Sequence, residues 1–415
     1  MFSLFSKIPA LFAANFISLF SIRDYKFLVL SNFFIFAGYQ IRVMAIAWIV
    51  LDITESEKMM GLINALPGIA VITMSLFGGA LADRVERWKL LWLTKIVITI
   101  MALITGILLT FEILDSATIW YLIPISLVIG IMFALHNPAS QAYVLDVVGK
   151  NKLVSATSFS AASSTFATII APSMGGLLLW LGYDLSFYVL TFFYFCGALM
   201  ILSMKTRHKS SDVLGKKSIF LDMKLGLEYA FKNPIIRALL ILSITAIFSG
   251  IYQPVIPVKI KQDLGLGEFE YGFVLAMNGI GTLIGSIILF IINERIKKIF
   301  LIIISFLAFD FGILFFGFSP NFVMCSLSMI IMGIGISGWM ITIPVLLQTK
   351  SSDNMRGRVI SLYFMCVLTY QLGWLFGGYF LEYLGINETL IIAVSGSLSL
   401  ATLTILFSKS LRSVN

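Results

Sequence analysis

"LFGGALADRVERWKLLW" (Leu76–Trp92) places Asp83, Arg84, Glu86, Arg87 and Lys89 within seven residues, between two long apolar runs. A helix that crosses a bilayer needs about twenty predominantly apolar residues, and charge inside the hydrocarbon is costly. The charged knot therefore reads as a tight turn outside the membrane, joining one spanning helix to the next. Working outward, runs of the same kind recur along all 415 residues, of which 59% are hydrophobic and only 12% charged, with a mean hydropathy of +0.99. That composition excludes a soluble globular domain. It predicts an all-α polytopic membrane protein with about twelve spans. They are placed near 27–51, 59–82, 90–111, 119–142, 155–180, 185–204, 236–257, 271–292, 299–318, 321–347, 358–381 and 387–408.

The charge distribution orients the chain. With the amino terminus inside, only Arg42, Lys58, Lys259 and Lys261 of the 29 Lys and Arg fall away from cytoplasmic segments or helix ends. The positive-inside rule then predicts both termini in the cytoplasm, and it accounts for the net charge of +8 without a nucleic-acid partner. The opening "MFSLFSKIPALFAANFISLF" lacks a clear small-residue cleavage site and is expected to lie on the membrane surface. Cys196, Cys325 and Cys366 are dispersed among the spans and read as small core residues. Trp48, Trp88, Trp92, Trp120 and Trp180 fall near span ends, where interfacial anchoring is expected.

The longest polar interval, Lys205 to Arg237, divides six spans from six. Shifted by 211 residues, "GLINALPGI" (61–69) falls on "GFVLAMNGI" (272–280) and "ADRVER" on "NERIKK". A shift of 206 places Pro138 on Pro344 and "KLVS" (152–155) on "RVIS" (358–361). Two nearby offsets are the trace of a duplicated six-helix unit with small insertions. The expected organisation is an interfacial segment (1–26), a six-helix bundle (27–204), a cytoplasmic central loop (205–235), a second, pseudo-symmetric bundle (236–408) and a cytoplasmic tail (409–415). Such a layout suits alternating access around a site at the midplane.

The knot "GGALADRVERWK" resembles the loop signature between the second and third helices of the major facilitator superfamily, Gly-x-x-x-Asp-Arg/Lys-x-Gly-Arg-Arg/Lys, at Gly79, Asp83, Arg84, Arg87 and Lys89. Glu86 stands where that family often has Gly. The resemblance implies a conformational latch to the neighbouring bundle; topology alone explains the basic residues but does not require the Asp. In the fifth predicted span, "ATIIAPSMGG" (167–176) is similar to the antiporter signature Gly-x-x-x-Gly-Pro-x-x-Gly-Gly, with Ala167 and Ala171 replacing two glycines ahead of Pro172, Gly175 and Gly176. With "HNPASQAYV", "NPIIR" and "RGRVISLYF", the pattern from about Arg23 to the end resembles the drug:proton antiporter-3 branch, which includes macrolide efflux proteins and enterobactin exporters.

The resemblance implies the major facilitator fold and a secondary active efflux transporter in a bacterial inner membrane, monomeric, exporting a drug such as a macrolide, or a siderophore, in exchange for protons. The alternative on the same scaffold is a lipid or lysolipid translocator. The partners expected are the bilayer, a small-molecule substrate and protons. An enzyme is not expected: two His, no clustered metal ligands and no paired carboxylates in one span leave no catalytic constellation. No metal and no cofactor are expected either. "GKKS" at 215–218 lacks the upstream Gly of a P-loop.

Polar groups inside spans or at their ends are the candidates for the site. Arg42 lies about 22 Å along the first span from its cytoplasmic end. Tyr39 shares a face with it, and Gln40 lies to one side. Shifted by 211, Arg42 maps on Gln253. Asn64, Asn278, Gln348, Tyr370 and Trp374 are further candidates for a substrate cavity, with Asn137, Gln371 and Trp339 as weaker ones. Asp310 is the carboxylate placed deepest in a span and the expected proton carrier. It fills a gap left by Tyr39, which follows Gly38 where relatives of this branch often carry an acid.

Overall fold

A computed structural model describes residues 18–206, 219–292 and 295–412, apart from the side chains of residues 75–84 and 219–223. Among them there is no strand. The membrane helices are α1 (Arg23–Thr54), α2 (Glu57–Arg84), α3 (Arg87–Thr110), a run Leu122–Leu181 divided into α4 (122–148) and α5 (150–181), and α6 (Tyr183–Leu202). The second half holds α7 (Pro234–Asp263), α8 (Glu268–Ile292), α9 (Lys298–Gly317), α10 (Phe322–Lys350), α11 (Arg356–Leu384) and α12 (Ile386–Phe407). The twelve hydropathy runs thus become twelve helices in two bundles of six.

Local chemistry places the breaks. Gly149 divides α4 from α5 with φ 70 and ψ 174, a conformation essentially reserved for glycine. α7 is interrupted at Tyr252–Pro254 and ends in a π-turn, Lys259–Asp263, while α11 is interrupted at Thr369. The central interval, expected as a loop, contains an amphipathic helix, Ile219–Lys232, whose Gly226 packs on Arg358 and Leu362 of α11. Asp24 anchors the start of the same interval by accepting hydrogen bonds from the main-chain N–H groups of Lys205 and Thr206 and from Thr206 Oγ1. Most of the predicted surface segment 1–26 lies outside the described residues.

The apolar core divides unequally along the membrane normal. At the end away from the termini a single cluster runs through both bundles, from Ile35–Leu51 of α1 to Val255–Ile260 of α7 and Trp374 and Leu381 of α11. Toward the termini each bundle has its own cluster, around Tyr25, Leu91 and Tyr143 in the first and around Leu239, Phe306 and Trp339 in the second. The bundles are welded at one end and separate at the other.

Glycines make the weld possible. A Cβ on Gly61 of α2 would lie 2.5 Å from the Trp374 carbonyl oxygen and 2.8 Å from Gly378 Cα of α11. On Gly272 of α8 it would lie 2.4 Å from the Pro172 carbonyl oxygen and 2.8 Å from Gly176 Cα of α5. Gly61 and Gly272 are equivalent under the 211-residue shift, so the repeat read in the sequence becomes two matched backbone-to-backbone crossings.

Candidate functional site

Polar side chains clasp the welded end. Lys261 of α7 pairs with Asp52 of α1, and Lys261 Nζ sits 5.6 Å from the centre of the Trp48 ring. Glu268 of α8 accepts from Trp48 Nε1 at 3.0 Å and from the Tyr183 hydroxyl at 3.2 Å. Glu382 of α11 accepts from Ser56 Oγ at 2.6 Å and from the Lys58 N–H at 3.0 Å. Trp48, expected as an interfacial anchor, is instead buried and stacked on Tyr271 of the other bundle, because its indole N–H has a carboxylate to meet there. The lysines that broke the positive-inside pattern are also accounted for. Lys58 lies over the Tyr379 ring, Lys261 joins the clasp, and buried Lys259 donates to Asp263 at 2.6 Å and to the Gly317 carbonyl at 2.9 Å.

The clasp ranks its own members. The Lys261–Asp52 pair is partly exposed, so its removal by Lys261→Met costs about 0.2–1 kcal/mol. Glu268→Ala strands the buried Trp48 indole N–H, at about 1–3 kcal/mol, while the Tyr183 hydroxyl keeps Asp52 Oδ2 at 3.1 Å. Labelling of a cysteine at Gln253 from the side opposite the termini is therefore expected to rise several-fold more in Glu268→Ala than in Lys261→Met; equal rates would refute the ranking.

Directly beneath the clasp, between the bundles, lies a cavity of about 670 Å³. Its wall carries Tyr39, Gln40, Asn64, Gln253, Asn278, Tyr370 and Trp374 from the sequence-derived set, together with Gln371, Trp339 and Pro172. Tyr252, Tyr271, Ser249 and Thr168 also line it; neutral, and close to breaks or small residues, they gave no signal in the sequence. Among the described residues the wall holds no Asp, Glu, Lys, Arg or His. Its chemistry is aromatic rings interleaved with amides and hydroxyls. Gln253 donates to the Tyr252 hydroxyl at 3.0 Å, and Tyr39 packs edge-on against Phe133 with centroids 4.8 Å apart. Asn64 and Trp339 line opposite bundles, and their Oδ1 and Nε1 atoms are buried with no partner among the described residues.

Three expected site residues stand elsewhere. Arg42 does not reach the cavity: on a helix it lies about 60° round from Tyr39, away from the Phe36–Tyr39–Gln40–Val43 stripe, and its Nη2 donates to Ser126 Oγ of α4 at 2.8 Å. Gln348 is exposed at the end of α10, where its carbonyl accepts from Arg356 Nε at 2.9 Å. Asp310 follows the wall residue Phe309 but turns to α12, where Oδ2 accepts from Ser397 Oγ at 3.1 Å and Oδ1 has no partner among the described residues.

The knot that opened the sequence is described in part. The side chains of Gly79, Asp83 and Arg84 lie outside the described residues. Arg87 Nη1 donates to both carboxylate oxygens of Asp146 of α4, at 2.9 and 2.8 Å, and Lys89 pairs with Glu86 at 3.1 Å. Both contacts stay within the first bundle. Glu86 precedes α3 with φ −57, so the turn has no need of the family glycine, and its carboxylate accepts from Trp88 Nε1 at 2.9 Å. In α5, Ala171 is buried, Gly175 faces Met44 and Ile41 of α1, and Gly176 makes the crossing to α8, so this motif serves packing on both sides.

The sequence family described as the Major Facilitator Superfamily matches residues 28–377 and, in an overlapping second match, 238–413. The chain is 25% identical over 349 residues to the staphyloferrin A transporter of Staphylococcus aureus, covering 82% of this chain and 85% of the relative. It is 23% identical over 316 residues to the enterobactin exporter EntS of Escherichia coli, covering 75% and 73%. A solved structure of a mutant of the nucleoside transporter NupG superposes with a TM-score of 0.76 over 92% of this chain and 99% of that one, at 15% identity, which shows the fold alone. A match of that length, on a chain whose halves repeat each other around one cavity, leaves a single assignment: the chain belongs to the major facilitator superfamily and is a membrane transporter, not an enzyme.

Proposed function

We propose that the chain is a secondary active exporter of a small amphipathic metabolite of the siderophore type, working by alternating access in exchange for protons. It would sit as a monomer in a bacterial inner membrane with both termini in the cytoplasm. The observation that carries this reading is the uncharged aromatic and amide cavity, sealed at one end by the glycine crossings and the clasp while the cores part at the other. With the termini inside, that arrangement receives its cargo from the cytoplasm. The names of the two relatives support a siderophore cargo. Drug export, the other expectation, is served by the same wall and is separated by the test. For the proton we propose Asp310, a buried carboxylate with one oxygen that has no partner among the described residues.

The test is uptake of labelled catecholate siderophore, macrolide and lysolipid into everted vesicles, with and without a protonophore. Siderophore uptake about tenfold above vesicles lacking the protein, collapsed by protonophore and by Asp310→Asn, is the expected result. Protonophore-resistant movement of lysolipid alone, or no uptake of any of the three, would overturn it.

A further inference from the structure

Arg42 is the charge in the first bundle whose surroundings fit it least. It is 2% exposed; Nη2 donates to Ser126 Oγ at 2.8 Å, whereas Nη1 is buried with no partner among the described residues. The Tyr194 hydroxyl of α6, also fully buried, has none either. The Tyr194 hydroxyl lies 3.1 Å from where a Cβ on Gly38 would stand, and Gly38 is one turn before Arg42 on α1, the turn over which a helical side chain at 42 leans. Carboxylates near the spans are engaged elsewhere: Asp52 with Lys261, Asp146 with Arg87, Asp24 with the central interval, and Asp310 with Ser397 in the other bundle. A guanidinium taken out of water and left half-bonded is strongly unfavourable in a membrane interior, so an acceptor must meet it at some stage of the working cycle.

The surroundings are biased the same way. Lys95 of α3, a second cation buried in this bundle, donates to the Ser31 carbonyl at 3.3 Å and makes no ion pair among the described residues. The cavity wall contributes no charge to offset them. Tyr39, three residues before Arg42 on α1, lines the cavity on this side together with Phe36, Gln40 and Val43.

We infer that the Arg42 guanidinium and the Tyr194 hydroxyl form an anion subsite for an anionic oxygen group of the cargo, a carboxylate or a deprotonated catechol, with Tyr39 standing between the subsite and the cavity. The inference rests on the exporter reading and narrows it. A planar fork with an O–H beside it presents several donors to one group of acceptor oxygens, the arrangement that favours two-oxygen anions over point charges. A cationic cargo would meet no carboxylate on the wall, and a bundle that carries two buried cations with no ion pair among the described residues.

The test is equilibrium binding to the full chain in lipid nanodiscs at neutral pH and with no gradient. Citrate and 2,3-dihydroxybenzoate serve as anionic probes, tetraphenylphosphonium as the cationic one and chloride as competitor. At least one organic anion is expected to bind, about thirtyfold weaker in Arg42→Gln and roughly fivefold weaker in Tyr194→Phe, with Arg42→Lys between them. Tetraphenylphosphonium binding should be unchanged by all three. Organic anions that bind Arg42→Gln and Tyr194→Phe as tightly as the parent would overturn the subsite, and Tyr194→Phe decides if Arg42→Gln fails to fold. Arg42-dependent binding of chloride without either organic anion would assign the group to an inorganic ion and overturn the cargo assignment. Arg42-dependent binding of an organic anion in a protein that moves nothing into vesicles would uphold the subsite while sinking export.

Discussion

Gly272→Val is expected to abolish transport while leaving a folded, membrane-inserted protein. The first atom of the new side chain would stand 2.4 Å from the Pro172 carbonyl oxygen and 2.8 Å from Gly176 Cα, both main-chain atoms that cannot turn aside. α5 and α8 must then part by roughly 1 Å, and Glu268, one turn away, loses its reach to Trp48 and Tyr183. About 3 kcal/mol of overpacking, acting only on the conformer closed at this end, shifts the population roughly a hundredfold. In a background without native cysteines, Gln253→Cys should become reactive to an impermeant maleimide added from the side opposite the termini. Gly357→Ala is the control, since nothing lies within 4 Å of the position its Cβ would take. Parent-like transport and labelling in Gly272→Val would mean that the crossing is not part of the gate.

The second large effect is expected at Lys95, and its sign is informative. The side chain is fully buried, lies against Gly197 of α6, and shares its interior region with His136 and Thr94. An ammonium in that setting loses several kcal/mol of hydration and recovers little of it from one long hydrogen bond to a carbonyl. Lys95→Met keeps the length and removes the charge, so the melting temperature in detergent should rise by about 5 °C. Transport of an anionic cargo should fall at the same time, because the positive interior loses one of its two sources. A lower melting temperature with normal transport would show Lys95 to be a satisfied structural donor.

The span count was legible because hydropathy is a one-dimensional property: a run long enough to cross the bilayer forms a helix whatever its neighbours do. The duplication was legible too, since Gly61 and Gly272 occupy equivalent positions in "GLINALPGI" and "GFVLAMNGI" and make equivalent crossings. Tyr39, Gln40, Asn64, Gln253, Asn278, Tyr370 and Trp374 could be proposed from polarity at depth alone, and the fold brings all seven to one cavity. Polarity at depth has no azimuth, however. Arg42 is one turn from Tyr39 yet faces α4 and α6, and Gln348, at the end of its run, stands in the open rather than in the cavity. Lys95 escaped notice because a lysine two turns inside a helix end reads as topology until the helices around it are in place.

What the sequence determined by itself was a membrane protein of two related six-helix halves, with its charges sorted to the turns, because burial in lipid acts on each segment separately. Which polar groups converge on the cavity, which end is closed, and which cations are left without a counter-charge were decided only by the tertiary structure. Those properties belong to pairs of helices, and depend on how each is rotated about its axis and how closely its glycines let it approach the next.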